Sequence, residues 1–262
     1  MSSTRSRLLT CLTISAIVAF GVVGGVVTAA PPSSESDPKA VAVAERVMTK
    51  LGGAEAWKAV RLLRFDFAVD REGKTLVRRA HTWDRSTGRY RVEGPDDQGR
   101  AVVVLMSLWT TEGKAWVDGV PATGEELAGL VETGYAWWVN DSYWLLMPFK
   151  LRDPGVVLSY VGLEARQEQS WDKVLLTFEG VGLTPKDKYW VYVNRKTDLV
   201  DRWEFVLKGA DTPPAPWDWS GWAEHGGVLL ANDRTSPNDG TRIRFPVLEA
   251  PASVPDAVFE QP

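Results

Sequence analysis

The sequence predicts an α+β protein built on one large curved antiparallel β-sheet, an incomplete barrel with covering helices. Three observations carry that expectation. Apolar and polar residues alternate at period two from residue 63 onward, turn signals interrupt the alternation at short intervals, and helical spacing occurs in two places, one N-terminal and one mid-chain. A large antiparallel meander must curl, and its concave face must be covered. Two helical segments cover only part of such a face.

The N-terminus reads as a targeting segment. Arg5 and Arg7 form a basic start, Leu8 to Ala30 carries no charge, and Val27-Thr28-Ala29 fits a signal-peptidase site. The run exceeds the ~7–15 residues of a typical signal core and approaches the ~20 that span a bilayer. Residues 1–30 are therefore read as a signal peptide or an N-terminal membrane anchor. Either one exports the rest of the chain, to the periplasm or cell envelope. Cys11 opens the apolar stretch rather than following it, which argues against a lipidation site. Residues 31–37 (PPSSESD) form a polar linker, and 38–262 a single β-rich domain.

Composition excludes several function classes. Loss of the first 29 residues removes Arg5 and Arg7, leaving 28 basic residues against 34 acidic ones, a net charge of −6. Such a chain is a poor match for nucleic acid, whose affinity depends on Lys and Arg neutralising phosphates. The only cysteine, Cys11, lies in the leader, so the remainder builds no disulfide, thiol nucleophile or cysteine-based metal site.

Helix is expected over Asp37–Leu51, with Asp37 as cap, Pro38 in the first turn and an apolar stripe of Ala40, Val43, Ala44, Val47 and Leu51. Gly52-Gly53 ends it, and Ala54–Val60 adds a short helix anchored by Trp57. Leu63, Phe65, Phe67 and Val69 make a half-buried strand. A turn at Arg71–Lys74 leads to Val77, Arg79, His81 and Trp83, which alternate with Leu76, Arg78, Ala80 and Thr82. Further strands follow at Arg89–Glu93, Val102–Trp109 and Ala115–Val117.

Thr123 to Leu146 breaks the pattern. Thr123 and Glu126 suggest a capping box, with interruptions near Gly134 and Asn140-Asp141 and a stop at Pro148. Later strands are expected at Val156–Val161, Leu163–Glu168, Lys173–Phe178, Lys188–Asn194, Leu199–Leu207, Trp217–Glu224, Val228–Asp233 and Thr241–Leu248. Asp211–Pro216 reads as a stiff Pro-rich loop. The total is roughly ten to thirteen strands.

Several segments carry a resemblance. They are the opening helix from Ala44 to Gly53 and the hairpin from His81-Thr82-Trp83-Asp84 to Gly88-Arg89-Tyr90-Arg91. With them go Asn140-Asp141-Ser142-Tyr143-Trp144-Leu145 and Met147–Gly155 (MPFKLRDPG). The chain resembles a family of uncharacterised exported bacterial proteins, similar in layout to the LolA/LolB-like lipoprotein carriers. The resemblance implies an incomplete antiparallel barrel closed by helices, with acyl chains held in an apolar cavity. It also implies a strand arginine that latches the helical lid, with Arg78, Arg79, Arg89 and Arg91 as candidates. The same four are candidates for an anionic head group. The bland alternative is a solvated hairpin face opposed by Asp84, Glu93, Asp96 and Asp97.

The chain holds thirteen tryptophans against two histidines and one cysteine. Large aromatic bodies are plentiful while the usual carriers of catalytic chemistry are scarce. G-x-S-x-G, the P-loop, H-E-x-x-H and C-x-x-C are all missing from the sequence. His81 is expected as a hydrogen-bonded structural residue and His225 at the surface. A glycan hydrolase would need two facing carboxylates, for which Asp153, Asp187 and Asp218 lie near aromatics but in turns and loops. No metal spacing stands out, and no cofactor is expected.

The function expected is a non-catalytic exported protein that binds a lipid or other apolar ligand, with a filled structural module of the envelope as the alternative. Trp137, Trp138, Tyr143, Trp144, Met147 and Phe149 are the candidates for lid and lining. Trp83, Tyr90, Trp116, Trp190 and Trp203 are the candidates on the sheet. The partners expected are a lipid or acyl-bearing ligand, with membrane contact and no nucleic acid.

Overall fold

The computed structural model describes residues 35–179 and 184–262. The expected signal or anchor segment and most of the linker lie outside the described residues.

Helix α1 (Pro38–Lys50) starts where Asp37 accepts a hydrogen bond from the Lys39 backbone N–H, and it buries Ala40, Val43, Ala44 and Val47. Helix α2 (Gly53–Ala59) follows a left-handed Gly52 (φ +117°). A Cβ on Gly52 would fall 2.5 Å from the Gly227 carbonyl, so only glycine lets this corner meet the sheet.

The chain then runs through β1 (Leu62–Arg71), β2 (Lys74–Asp84), β3 (Arg89–Pro95), β4 (Ala101–Ser107), β5 (Gly113–Val117) and β6 (Val120–Pro121). Helix α3 (Gly124–Leu146) and a 3-10 turn at Met147–Lys150 follow. The second run is β7 (Val156–Arg166), β8 (Gln169–Phe178), β9 (Lys188–Asn194), β10 (Val200–Val206), β11 (Ala215–His225) and β12 (Val228–Thr235). Two short strands, β13 (Arg242–Arg244) and β14 (Leu248–Glu249), come last, before a second 3-10 turn at Asp256–Phe259.

All of these strands join one antiparallel sheet in the order β6-β5-β4-β3-β2-β1-β13-β12-β11-β10-β9-β8-β7, with β14 also on β1. Two meanders thus meet at the non-local β1–β13 pair, where Val69 faces Ile243. The sheet is open: β6 and β7 are its two edges. Thirteen strands at ~4.8 Å spacing would be about 58 Å wide if flat. Helix α3, with 23 residues and thus about 35 Å long at 1.5 Å per residue, lies in the chain between those two edges. The helix packs on both meanders, with Leu130 and Val131 on the first and Leu145 and Leu146 on the second, and the face it covers is the inner face of the curved sheet.

The edges are blunted. β6 has two residues and ends in Pro121, which cannot donate to a further strand. On β7 the Leu158 N–H donates to Ser36 Oγ and the Tyr160 N–H to Asp37 Oδ2.

Several boundaries differ from expectation. Helix α3 is continuous through Gly134 and Asn140-Asp141. Gly134 lies flat on β4, where a Cβ would come 3.0 Å from Val104 Cγ1; it is a site of close approach, not a break. Thr123 sits at the helix start without a side-chain capping bond. The two strands expected at 156–161 and 163–168 are one strand with a register shift between Tyr160 and Gly162. β11 begins at Ala215, so Pro216 and Asp218 lie in a strand, not a loop. The strand expected over 241–248 is split into β13 and β14, and the strands among the described residues number fourteen.

Candidate ligand-binding face beneath helix α3

Strand register defines the inner face. In the first meander, Phe65, His81, Val92, Val104 and Ala115 form one row across β1 to β5. Trp83, Tyr90 and Met106 form the next. In the second meander, Val174, Val191, Trp203 and Trp217 align across β8 to β11. Trp219, Arg234, Ile243, Val69 and Val77 link the two meanders. Helix α3 spans both, with Leu130, Val131 and Gly134 over the first and Leu145 and Leu146 over the second.

Under the middle of α3 lies a buried polar network. Arg79 grips Asp141 with two bonds, Nε to Oδ2 at 2.6 Å and Nη2 to Oδ1 at 2.7 Å. His81 Nε2 lies 3.0 Å from Asp141 Oδ2, off the line of a good hydrogen bond. The other ring nitrogen, Nδ1, lies 2.6 Å from the Tyr90 hydroxyl, and the imidazole stacks on Phe65 at 4.5 Å. Burial alone would push the Asp141 carboxyl up, but the Arg79 charge and the contacts with His81 and Arg79 hold it below the usual carboxylate range. Burial pulls His81 below its ordinary value despite Asp141 beside it, so the imidazole is neutral at pH 7. This network ties strand β2 to helix α3 by a charge-assisted, bidentate contact.

Under the C-terminal half of α3 the bed is aromatic. Trp144 meets Trp203 at 4.7 Å and Trp217 at 4.9 Å, both edge-on. Tyr143 meets Tyr189 at 5.3 Å and Trp203 at 5.9 Å. These are favourable geometries for aromatic pairs. Arg234 lies in the same region, fully buried, with its guanidinium 3.9 Å from the Trp219 ring and 4.9 Å from Phe245. Its Nη1 donates to the Ala231 carbonyl at 2.7 Å and its Nη2 to the Leu145 carbonyl at 3.4 Å. Leu145 is in the last turn of α3, whose carbonyls and dipole favour a cation. Burial pulls Arg234 well below the ordinary arginine value, with Asp233 as the opposing charge.

A DUF1329 family protein from Desulfovibrio piger shares 15% identity and a TM-score of 0.49, over 86% of this chain and 98% of that one. A LolA superfamily protein from Nitrosomonas europaea shares 12% identity and a TM-score of 0.47, over 82% and 96%. No protein-family model matches the sequence, and no curated protein matches it either. The open antiparallel sheet with covering helices is the architecture expected from the sequence.

The sequence-predicted residues divide by strand parity. Trp83, Tyr90 and Trp203 face inward, and Tyr90 and Trp203 are almost wholly buried. Trp116 pairs with Val103 and Trp190 with Leu175, on the outer face of the sheet. Both are thus corrected as inner-face residues, because each sits one position out of phase with its inward neighbours. Of the lid candidates, Trp138 packs edge-on against Trp83 at 5.3 Å, and Trp137 lies 5.2 Å from the Arg79 guanidinium. Met147 and Phe149 are buried, with Phe149 stacked on Trp57 at 4.4 Å.

Of the four candidate arginines, Arg79 alone bonds α3. Arg78 is on the opposite face with Asp66, at 2.6 Å. Arg89 bonds Asp256 at 2.9 Å, and Arg91 bonds Glu93 and the carbonyls of Val258 and Gln261, so both hold the C-terminal segment against the outer face of β3. Of the opposing charges expected on the hairpin, Asp84 meets Arg89 at 3.4 Å and Glu93 meets Arg91 at 2.6 Å, Arg78 pairs with Asp66 instead, and Arg79 is the one that reaches α3. The sequence reading missed Arg234; its one available signal was an arginine in phase with Leu230 and Asn232 rather than with the outward Asp233.

The three carboxylates weighed for hydrolysis do not face one another. Asp153 bonds Lys150 at 2.8 Å. Asp187 accepts from Thr184 Oγ1 and the Lys208 N–H and ties that loop. Asp218 bonds Arg202 at 2.6 Å on the outer face. Two concavities defined by described residues, of about 290 and 640 Å³, lie elsewhere, beside Phe259 and on the outer side of α1.

Proposed function

We propose that this is a non-catalytic exported protein that binds a lipid or other apolar ligand between helix α3 and the inner face of the sheet. The observation that carries the reading is α3 itself. It spans the concave face of an open sheet, presents Tyr143, Trp144, Leu145 and Leu146 to a bed of aromatics, and is tied to the strands by two arginines, Arg79 through Asp141 and Arg234 through the Leu145 carbonyl. Displacement of part of α3 from this apolar face is the step by which a guest would enter. An acyl chain replacing part of that contact would contribute about 0.8 kcal/mol per buried CH₂. Trp83, Trp137, Trp138, Tyr143, Trp144, Met147, Phe149 and Trp203 are the proposed lining.

A second reading, a structural module of the envelope with a filled interior, is favoured by the mutual packing of Trp144, Trp203 and Trp217. Native mass spectrometry after gentle purification, followed by lipid extraction, separates the two. Co-purified lipid supports the carrier, as does a tryptophan emission change on adding fatty acids or phospholipids. A ligand-free protein whose emission ignores both supports the filled module. Trp144→Ala is expected to weaken ligand binding more than it lowers stability, and equal loss of both would make Trp144 ordinary core.

A further inference from the structure

The inner face is polarised in a way that an unadorned hydrocarbon guest does not explain. Around Trp219, the buried polar atoms without a hydrogen-bond partner among the described residues are Arg234 Nε and the indole Nε1 atoms of Trp203, Trp219 and Trp222. Every one of them is an N–H group. The rings are neighbours: Trp219 lies 5.3 Å from Trp203 and 6.1 Å from Trp222, and Arg234 sits over Trp219.

Buried donors left unpaired are costly, and a buried cation more so. Arg234 is fully buried, and among the described residues no carboxylate bonds it. Its sequence neighbour Asp233 is on the outer face, paired with Arg242. The charge is met only by aromatic faces, the Ala231 carbonyl and a long contact to Leu145 O. The same molecule pairs Arg79, a largely buried arginine under the middle of α3, with a carboxylate. A site with donors in surplus and no anion to meet its cation is complementary to a group that has only acceptors.

We propose that this part of the inner face receives the anionic head of an acyl ligand, with Arg234 supplying the countercharge and the Trp203, Trp219 and Trp222 indoles supplying neutral donors. The proposal rests on the lipid-binding reading and narrows it to chains that end in a carboxylate or a phosphate. A head group bound to Arg234 competes with the Leu145 carbonyl for the same guanidinium, so occupancy and the seating of α3 are coupled.

The test uses three probes with the same sixteen-carbon tail: palmitate, hexadecyl phosphate and hexadecanol, titrated at pH 8 with tryptophan emission as readout. At least one anionic probe is expected to bind about tenfold more tightly than the alcohol, as one charge-assisted contact allows. Which anion it is distinguishes a carboxylate head from a phosphate head. Arg234→Met should abolish the preference while leaving hexadecanol binding in place. Trp222→Phe keeps a ring and removes one donor, and should reduce only the anion's affinity, by a few fold. In the unmodified protein, ¹³C NMR of carboxyl-labelled palmitate should show the bound head still ionised below the pH at which the free acid protonates. Equal binding of alcohol and anions overturns the proposal while leaving lipid binding intact, and so does an undiminished preference in Arg234→Met. Failure of all three probes to bind overturns both.

Discussion

The two halves of the face beneath α3 treat buried charge in opposite ways. Under the middle of the helix, the Arg79 cation meets the Asp141 anion in two bonds and Tyr90 meets the imidazole, while His81 Nε2 keeps no well-aligned partner. Under its C-terminal half, Arg234 and three tryptophans keep donors that meet only carbonyls and ring faces, or nothing. The difference suggests distinct duties. A paired, bidentate charge fixes one geometry, which suits an anchor. An unsatisfied one keeps a free energy reserve for whatever supplies the missing acceptor.

The comparison can be broken most directly at Asp141. Asp141→Ala leaves Arg79 buried without its anion and is expected to cost about 3–5 kcal/mol, read as a lower urea midpoint. Parent-like stability would remove the anchor role. Gly134→Ala comes next. Its Cβ would press on Val104, which costs about 1–3 kcal/mol for overpacking. The alanine returns up to about 1 kcal/mol of helix propensity, so the expected net loss is about 1 kcal/mol, and a gain in stability would mean that α3 rides higher on β4.

The pH dependence sharpens the same contrast. His81 is held below its ordinary value in the folded state, so below about pH 6.5 the unfolded chain takes up a proton that the folded chain refuses, and stability falls as pH falls. Asp141 is held low as well, and its contribution, present above about pH 4, is lost below that. His81→Gln should flatten the stability profile between pH 7 and 5. His225, also pulled down by burial, supplies what slope remains. An unchanged slope would show that His81 titrates normally. The smallest effect belongs to Arg234→Met. Replacing a buried cation that lacks a carboxylate by an apolar side chain of similar volume is often neutral, so stability should stay within about 1 kcal/mol of the parent. A loss as large as that of Asp141→Ala would make Arg234 a structural anchor like Arg79.

Much of the architecture was legible in the residues. The Asp37 cap and the stripe from Ala40 to Leu51 predict α1, and the alternation in Leu63–Val69 and Val77–Trp83 predicts β1 and β2. Glycine was harder to read, because Gly134 interrupts a propensity pattern but enables close packing that only β4 reveals. The Pro-rich run before Trp217 looked like loop because prolines are costly in sheets, yet Pro216 sits at the start of β11, where such a residue is tolerated.

What the sequence determined by itself is local: where helices start, where hairpins turn, and which residues share a face of one strand. Period two assigns Arg78 and Arg79 to opposite faces but cannot say which face is covered. That was decided when β1 paired with β13 and α3 was drawn from one edge of the sheet to the other, turning Arg79 toward Asp141 and Arg234 toward Leu145. Trp116 and Trp190 faced outward by the same decision. The physical reason is that side-chain parity is a property of each strand, whereas inside and outside exist only once remote strands join and a helix closes over one of the two faces.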